Sequence, residues 1–110
     1  MTNDNVIWHP AARVGDIEKE DLIEISVNGK IYAIYCIESG YYATDGLCSH
    51  ECAPLVDGLV DGDVIECPKH NARFHIPTGK AIRRPARTDL AIYPVMIENE
   101  QIFIGLSPEE

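Results

Sequence analysis

Two short motifs constrain what this chain can fold into more than anything else in it. Cys48-Ser49-His50 lies in one segment and Cys67-Pro68-Lys69-His70 in another, with residues 51 to 66 between them. Two thiols and two imidazoles arriving in matched pairs are the donor set of a metal centre, because thiolate and imidazole are the softer protein ligands. The fold must then present two loops at one end, each bringing one sulfur and one nitrogen.

Several arrangements could use such residues. Zinc takes two Cys and two His in a closed tetrahedral site, but its finger motifs put both cysteines in the first pair and both histidines in the second. Here each segment carries one of each. Disulfides are a second use of Cys36, Cys48, Cys52 and Cys67, but no secretory signal suggests an oxidising compartment. Plain core packing of unrelated Cys and His is a third. A mixed-ligand iron–sulfur cluster is a fourth, with cysteines on one iron and histidines on the other.

The rest of the chain reads as strands. Leu22 to Val27 alternates, Asn28-Gly29 supplies a tight hairpin turn, and Lys30 to Ile37 is the return strand. Ser39-Gly40 turns into Tyr41 to Thr44. Ala91 to Glu98 and Gln101 to Leu106 form a second hairpin across Asn99-Glu100, with Pro94 demanding an edge or a bulge. The centre differs. From Asp45 to Gly79 it has short strands, Val64 to Glu66 and Arg73 to His75, between loops rich in Pro and Gly. The predicted fold class is all-β, an antiparallel β sandwich or barrel with a small inserted metal-holding lobe over about residues 45–80. Residues 1 to 5 and 107 to 110 are expected to be loose ends.

A chain of 110 residues suits one domain, residues 1–110. No apolar run approaches a membrane helix, and Met1 to Asn5 lacks the features of a signal peptide, so a soluble, cytoplasmic protein is expected. The net charge of −9 argues against nucleic acid as a partner. The distribution is uneven. Residues 67 to 88 hold Lys69, Arg73, Lys80, Arg83, Arg84 and Arg87 and no acid, while Asp16 to Glu24 and Asp57 to Glu66 are strongly acidic. Such a dipolar surface either is a set of solvated faces or steers docking.

The ligand spacing resembles the Rieske [2Fe–2S] family. Asp57-Gly58 and Asp61-Gly62 resemble its turn pattern, and Phe74, Thr78-Gly79 and Tyr93-Pro94-Val95 fall where small Rieske ferredoxins carry similar residues. The resemblance covers nearly the whole chain and is densest from Leu47 to Gly79. It implies one [2Fe–2S] cluster per chain, with Cys48 and Cys67 on one iron and His50 and His70 on the other. Such a site moves one electron and binds no substrate. Its potential exceeds that of a four-cysteine cluster because neutral imidazoles leave it less negative. Respiratory members place hydroxyls two and four residues past the second histidine, where this chain has Ala72 and Phe74. They also carry a disulfide. Cys52 lies near one of its positions, but Lys69 stands where its partner would be. The chain therefore resembles the low-potential ferredoxin branch.

The implied role is a carrier between an NAD(P)H-dependent flavoprotein reductase and the terminal oxygenase of an aromatic-ring-hydroxylating dioxygenase system. The chain would not itself be an enzyme, and would work as a monomer. Cys52-Ala53-Pro54-Leu55 and Pro68 would form an apolar collar for a transient interface. The small subunit of an assimilatory nitrite reductase, or a zinc-stabilised binding module, remain open as other readings. Cys36 is expected to be a buried thiol, His75 a strand-face residue, His9 a surface residue and Trp8 a side chain packed on the sheet. Gly58, Gly62 and Gly79 read as turn residues, and no nucleotide-binding glycine motif is present.

Overall fold

The structure, a computed structural model, describes residues 6–49, 53–68, 72–83 and 88–108. Among the described residues, eleven strands form three antiparallel sheets. The first contains β1 (Ile7–Arg13), β11 (Gln101–Leu106) and β10 (Val95–Glu98), in that order. The second is β2 (Asp21–Val27), β3 (Lys30–Ile37), β4 (Gly40–Asp45) and β9 (Ile92–Tyr93). The third is β5 (Leu59–Asp61), β6 (Val64–Glu66), β7 (Arg73–His75) and β8 (Ala81–Arg83). The all-β class is as the sequence predicts.

Strand β3 explains the layering. Its apolar run from Ile31 to Ile37 hardly alternates because both of its faces are buried. Tyr32 and Ile34 pack with Ile102, Ile104 and Leu106 of the first sheet. Ala33, Tyr35 and Ile37 point the other way and pack with Leu55, Ile65, Phe74 and Leu90. The second sheet is thus the middle layer, and the third sheet is seated on its far side. Tyr35 brings a hydroxyl into this core, where it shares a 2.9 Å hydrogen bond with Thr44. Burial pushes its pKa well above the usual phenol value, so it stays neutral at working pH.

The β2–β3 turn is as expected. Asn28 and Gly29 have φ of 53° and 85°, the left-handed pair that matches the twist of a two-residue hairpin. The next turn is shifted by one residue. Glu38 and Ser39 form it, and Gly40 already pairs with Ile37.

Pro94 does more than mark an edge. The expected strand from Ala91 to Glu98 is cut at Pro94 into β9, which pairs with β4, and β10, which pairs with β11. Proline has no N–H to continue a ladder, so the chain changes sheets there. Its carbonyl still accepts from Gly105 N at 2.9 Å. Trp8 packs over Gly105, where a Cβ would come within 3.0 Å of its ring. Strand β1 was hidden in the sequence by Pro10, which sits beside a register shift on an edge strand. His9 is half-buried rather than at the surface, and Cys36 is half-buried rather than buried.

Candidate metal centre

Both cysteines stand at the same place in two similar necks. In the first, β4 ends at Asp45 and the chain doubles back on itself. Leu55 N donates to Gly46 O at 2.9 Å, Leu47 bridges Pro54, and Cys48 N donates to Ala53 O at 2.8 Å. In the second, β6 and β7 pair Val64 with His75, Ile65 with Phe74 and Glu66 with Arg73. Cys67 N then donates to Ala72 O at 2.7 Å. Each cysteine is the last rung of a rising arm, and an alanine five positions on begins the falling arm. Residues 50–52 and 69–71, between the two arms of each neck, lie outside the described residues.

The two necks converge on one core. Cys48 and Cys67 are each 1% exposed and belong to the same buried cluster as Ala53, Leu55, Ala72 and Phe74. His50, His70, Cys52 and Lys69 lie outside the described residues. Among the described residues no group of three potential ligands comes together, as expected when both candidate histidines fall outside them.

An open cleft flanks each neck. The first, about 230 Å³, is lined by Lys30, Ile31, Asp45, Leu47, Cys48 and Ser49. The second, about 320 Å³, is lined by Asp57, Gly58, Leu59, Glu66, Cys67 and Pro68. Lys30 and Asp45 in the first cleft and Glu66 in the second have charged partners. Lys30 lies 3.4 Å from Asp45, whose other partner is the Tyr93 hydroxyl, donating at 2.6 Å. Arg73 lies 3.4 Å from Glu66 and 3.5 Å from Asp61.

The expected apolar collar is only partly present. Ala53 and Leu55 are buried, because the neck and the 3-10 turn at Leu55–Asp57 aim them into the core. Pro54 and Pro68 are exposed. Leu59, 63% exposed beside Pro68, is an apolar contact that sequence reasoning missed. The signal was there in Leu59-Val60, since adjacent apolar residues of one strand must face opposite ways.

His75 has a structural job. Its ring lies 2.9 Å from Thr78 Oγ1 and 3.0 Å from Asp63 Oδ2. Those partners sit in the β7–β8 and β5–β6 turns, at the opposite end of the sheet from the Cys67 loop. The chain of Asp, His and Thr therefore ties two hairpin turns together rather than serving the metal.

The donor set fits a mixed-ligand cluster. Two buried sulfurs at equivalent loop positions, enclosed by apolar side chains, need a compensating cation if they are to be thiolates. Ala72 and Phe74 are fully buried in the same core, so the positions two and four past His70 bring no hydroxyl to it.

Most of the chain is similar to known proteins. The ferredoxin component of the naphthalene 1,2-dioxygenase/salicylate 5-hydroxylase systems of Ralstonia sp is 44% identical over 90% of this chain and 95% of its own length. The Sphingomonas yanoikuyae B1 ferredoxin superposes with a TM-score of 0.86 at 31% identity, covering 91% of this chain and 99% of that one. A chain from the complex of reduced oxygenase and oxidized ferredoxin in carbazole 1,9a-dioxygenase gives 0.85 at 29%, covering 89% and 92%. The Rieske [2Fe–2S] domain description matches residues 7–94, and the chain belongs to that family.

Proposed function

We propose that this chain is the ferredoxin component of a bacterial aromatic-ring dioxygenase system, carrying one electron at a time on a Rieske [2Fe–2S] cluster. It is an electron-transfer protein and not the enzyme that oxidises substrate. The observation that carries this reading is the pair of matched necks, each ending in a buried cysteine, in a chain 44% identical to such a component. When bound, the cluster supplies a one-electron couple whose potential lies above that of four-cysteine ferredoxins.

The protein's part is positional. Cys48 and Cys67 hold one iron from the buried ends of the necks, and His50 and His70 hold the other from the loop tips. The imidazoles then form the outer edge, through which an electron leaves. Residues 1–110 act as one domain and as a monomer. Pro54, Pro68 and Leu59 offer apolar contacts around that edge, suited to a small, transient interface. The donor is a flavoprotein reductase and the acceptor a terminal Rieske oxygenase, both in the cytoplasm. No helix among the described residues is long and apolar enough to cross a membrane.

The test is spectroscopic and kinetic. Protein purified without air should contain two irons and two sulfides per chain and give the EPR signal of a reduced histidine-ligated cluster. It should also relay electrons from a reductase to an oxygenase. A colourless protein containing zinc would overturn the proposal. So would stable co-purification with a large sirohaem subunit, which would instead favour a nitrite reductase small subunit.

A further inference from the structure

We infer that Ser49 is a positioning residue, whose hydroxyl latches the first cysteine loop to a brace, Thr88 to Ala91, that joins the supports of both loops. The inference rests on the reading that Cys48 and His50, the neighbours of Ser49, are ligands.

The side chain of Ser49 is exposed, yet its Oγ donates to Thr88 O at 2.6 Å, across 39 positions of sequence. Nothing in the local backbone requires this contact. The Cys48 neck is already closed by Cys48 N and Ala53 O. What the hydroxyl adds is a lateral tie from the loop tip to a different part of the chain.

That part is firmly held. Leu90 N donates to Gly79 O at 2.7 Å, and Gly79 packs so closely on Leu90 O that a Cβ would collide with it. Ala81 N donates to Asp89 Oδ1 at 2.8 Å. Gly79 and Ala81 belong to the β7–β8 hairpin, and Ala81 pairs with Phe74, two residues past the end of the second neck. On the other side Ala91 O accepts from Asp45 N at 3.0 Å, at the root of the first neck. The brace therefore grips the hairpin behind loop two and the strand behind loop one. Among the described residues, Ser49 is the point where it grips a cysteine loop itself. The relative position of the two loops, and hence of one sulfur and one imidazole against the other pair, depends on that grip.

The experiment uses the cluster-loaded protein with Ser49→Ala, Ser49→Thr, Asp89→Ala and the double variant Ser49→Ala/Asp89→Ala. Two quantities are read without any partner protein. One is the rate at which visible absorbance is lost to excess chelator. The other is the EPR line shape of the reduced state. Ser49→Ala should bleach about threefold faster, the order expected for one hydrogen bond between neutral groups, and should broaden the EPR lines. Ser49→Thr, which keeps the hydroxyl, should behave as wild type. Asp89→Ala should also accelerate bleaching. The double variant should be no faster than the faster single, since both changes break one tie.

Wild-type bleaching and line shape in Ser49→Ala would overturn the inference, as would Ser49→Thr behaving like Ser49→Ala. Multiplying effects in the double variant would show that Asp89 acts by another route and would overturn the brace. Failure of the ligand reading looks different, because the cluster would then survive Cys48→Ala or His50→Ala.

Discussion

The two cysteine loops share a plan and differ in what enforces it. The Cys67 loop caps a regular ladder, in which three successive pairs of β6 and β7 fix the spacing before Cys67 is reached. Its flank is pinned by Arg73 between Glu66 and Asp61. The Cys48 loop has no regular strand pair beneath it. Its neck is a single isolated bridge between backbone hydrogen bonds, and it leans on Gly46 against Ile31 and on Ser49 against Thr88. A sheet register is set by many residues together, so loop two should tolerate single changes. Loop one depends on individual contacts and should not.

The largest effect should ignore that difference. Replacing Cys48, His50, Cys67 or His70 with Ala should each abolish the intact cluster, because a metal site depends on every ligand whatever supports it. His75→Ala and Cys36→Ala should keep it, since His75 ties two turns and Cys36 lies half-buried on β3. Iron and sulfide content with EPR would decide this. Loss of the cluster in His75→Ala with retention in His70→Ala would reverse the assignment.

A second pair of variants sharpens the comparison. Gly79 has a φ of 75° and a Cβ there would strike the carbonyl of Leu90, the centre of the brace. Gly79→Ala should cost about 2–4 kcal/mol from overpacking and backbone strain, and should accelerate cluster loss. Gly62, with a φ of 64° at the far tip of β5–β6, has open space around it. Gly62→Ala should cost only about 1 kcal/mol and leave the cluster's lifetime unchanged. Thermal midpoints and chelator bleaching of the two proteins measure this directly.

Much of this was legible in the residues, and the parts that were not have physical causes. The Asn28-Gly29 hairpin and the short strands at Val64–Glu66 and Arg73–His75 were readable because turn chemistry and alternation are local. Strands β5 and β8 are just as short, and each turns a large apolar side chain, Leu59 or Ile82, toward solvent, which blurs the inward pattern. Pro94 reads as an edge or a bulge within one strand, but it cuts that strand in two and hands the chain from one sheet to another, which depends on which neighbours offer carbonyls. The matched necks were also invisible. Ala53 and Ala72 carry no chemistry, and only their backbone oxygens matter. Two of the four described collar residues were misjudged for a related reason, since Ala53 and Leu55 look like surface loop residues until the neck turns them inward.

The third prediction sets the hydroxyl-free second loop against its high-potential relatives. Ala72 and Phe74 are buried with the cysteines, so the midpoint potential should lie near the low end of the Rieske range, roughly −150 mV. Ala72→Ser and Phe74→Tyr should each raise it, because a donated hydrogen bond favours the more negative reduced state. At about 59 mV per 1.4 kcal/mol for one electron, a partly differential hydrogen bond shifts it by tens of millivolts. Protein-film voltammetry reads this, and unchanged midpoints in variants with intact clusters would show that neither side chain reaches a sulfur.

The smallest effect concerns docking, and here the pairing around loop two changes what the raw charge pattern suggests. The stretch from Lys69 to Arg87 is basic throughout, but Arg73 is held between Glu66 and Asp61 and presents little net field. Asp63 is likewise engaged by His75, and Glu20 by Gly62 N at 2.7 Å. Steering is then expected from Lys80, which is exposed, and from the charges that the sequence carries at Arg83, Arg84 and Arg87, whose side chains lie outside the described residues. Electron transfer to a partner at low protein concentration should slow as salt rises to physiological strength, where the screening length shrinks to about 8 Å. Charge reversal at Arg83 and Arg84 should flatten that dependence. Arg73→Gln should change the slope less than the reversals do, because it removes one unit of charge rather than reversing two, and should leave the cluster's lifetime near wild type because three rungs of β6 and β7 still hold loop two. If Arg73→Gln flattens the slope as much as the reversals do, the paired arginine is an electrostatic determinant of docking after all. If salt has no effect on any of the proteins, encounter is guided by the apolar contacts of Pro54, Leu59 and Pro68 alone.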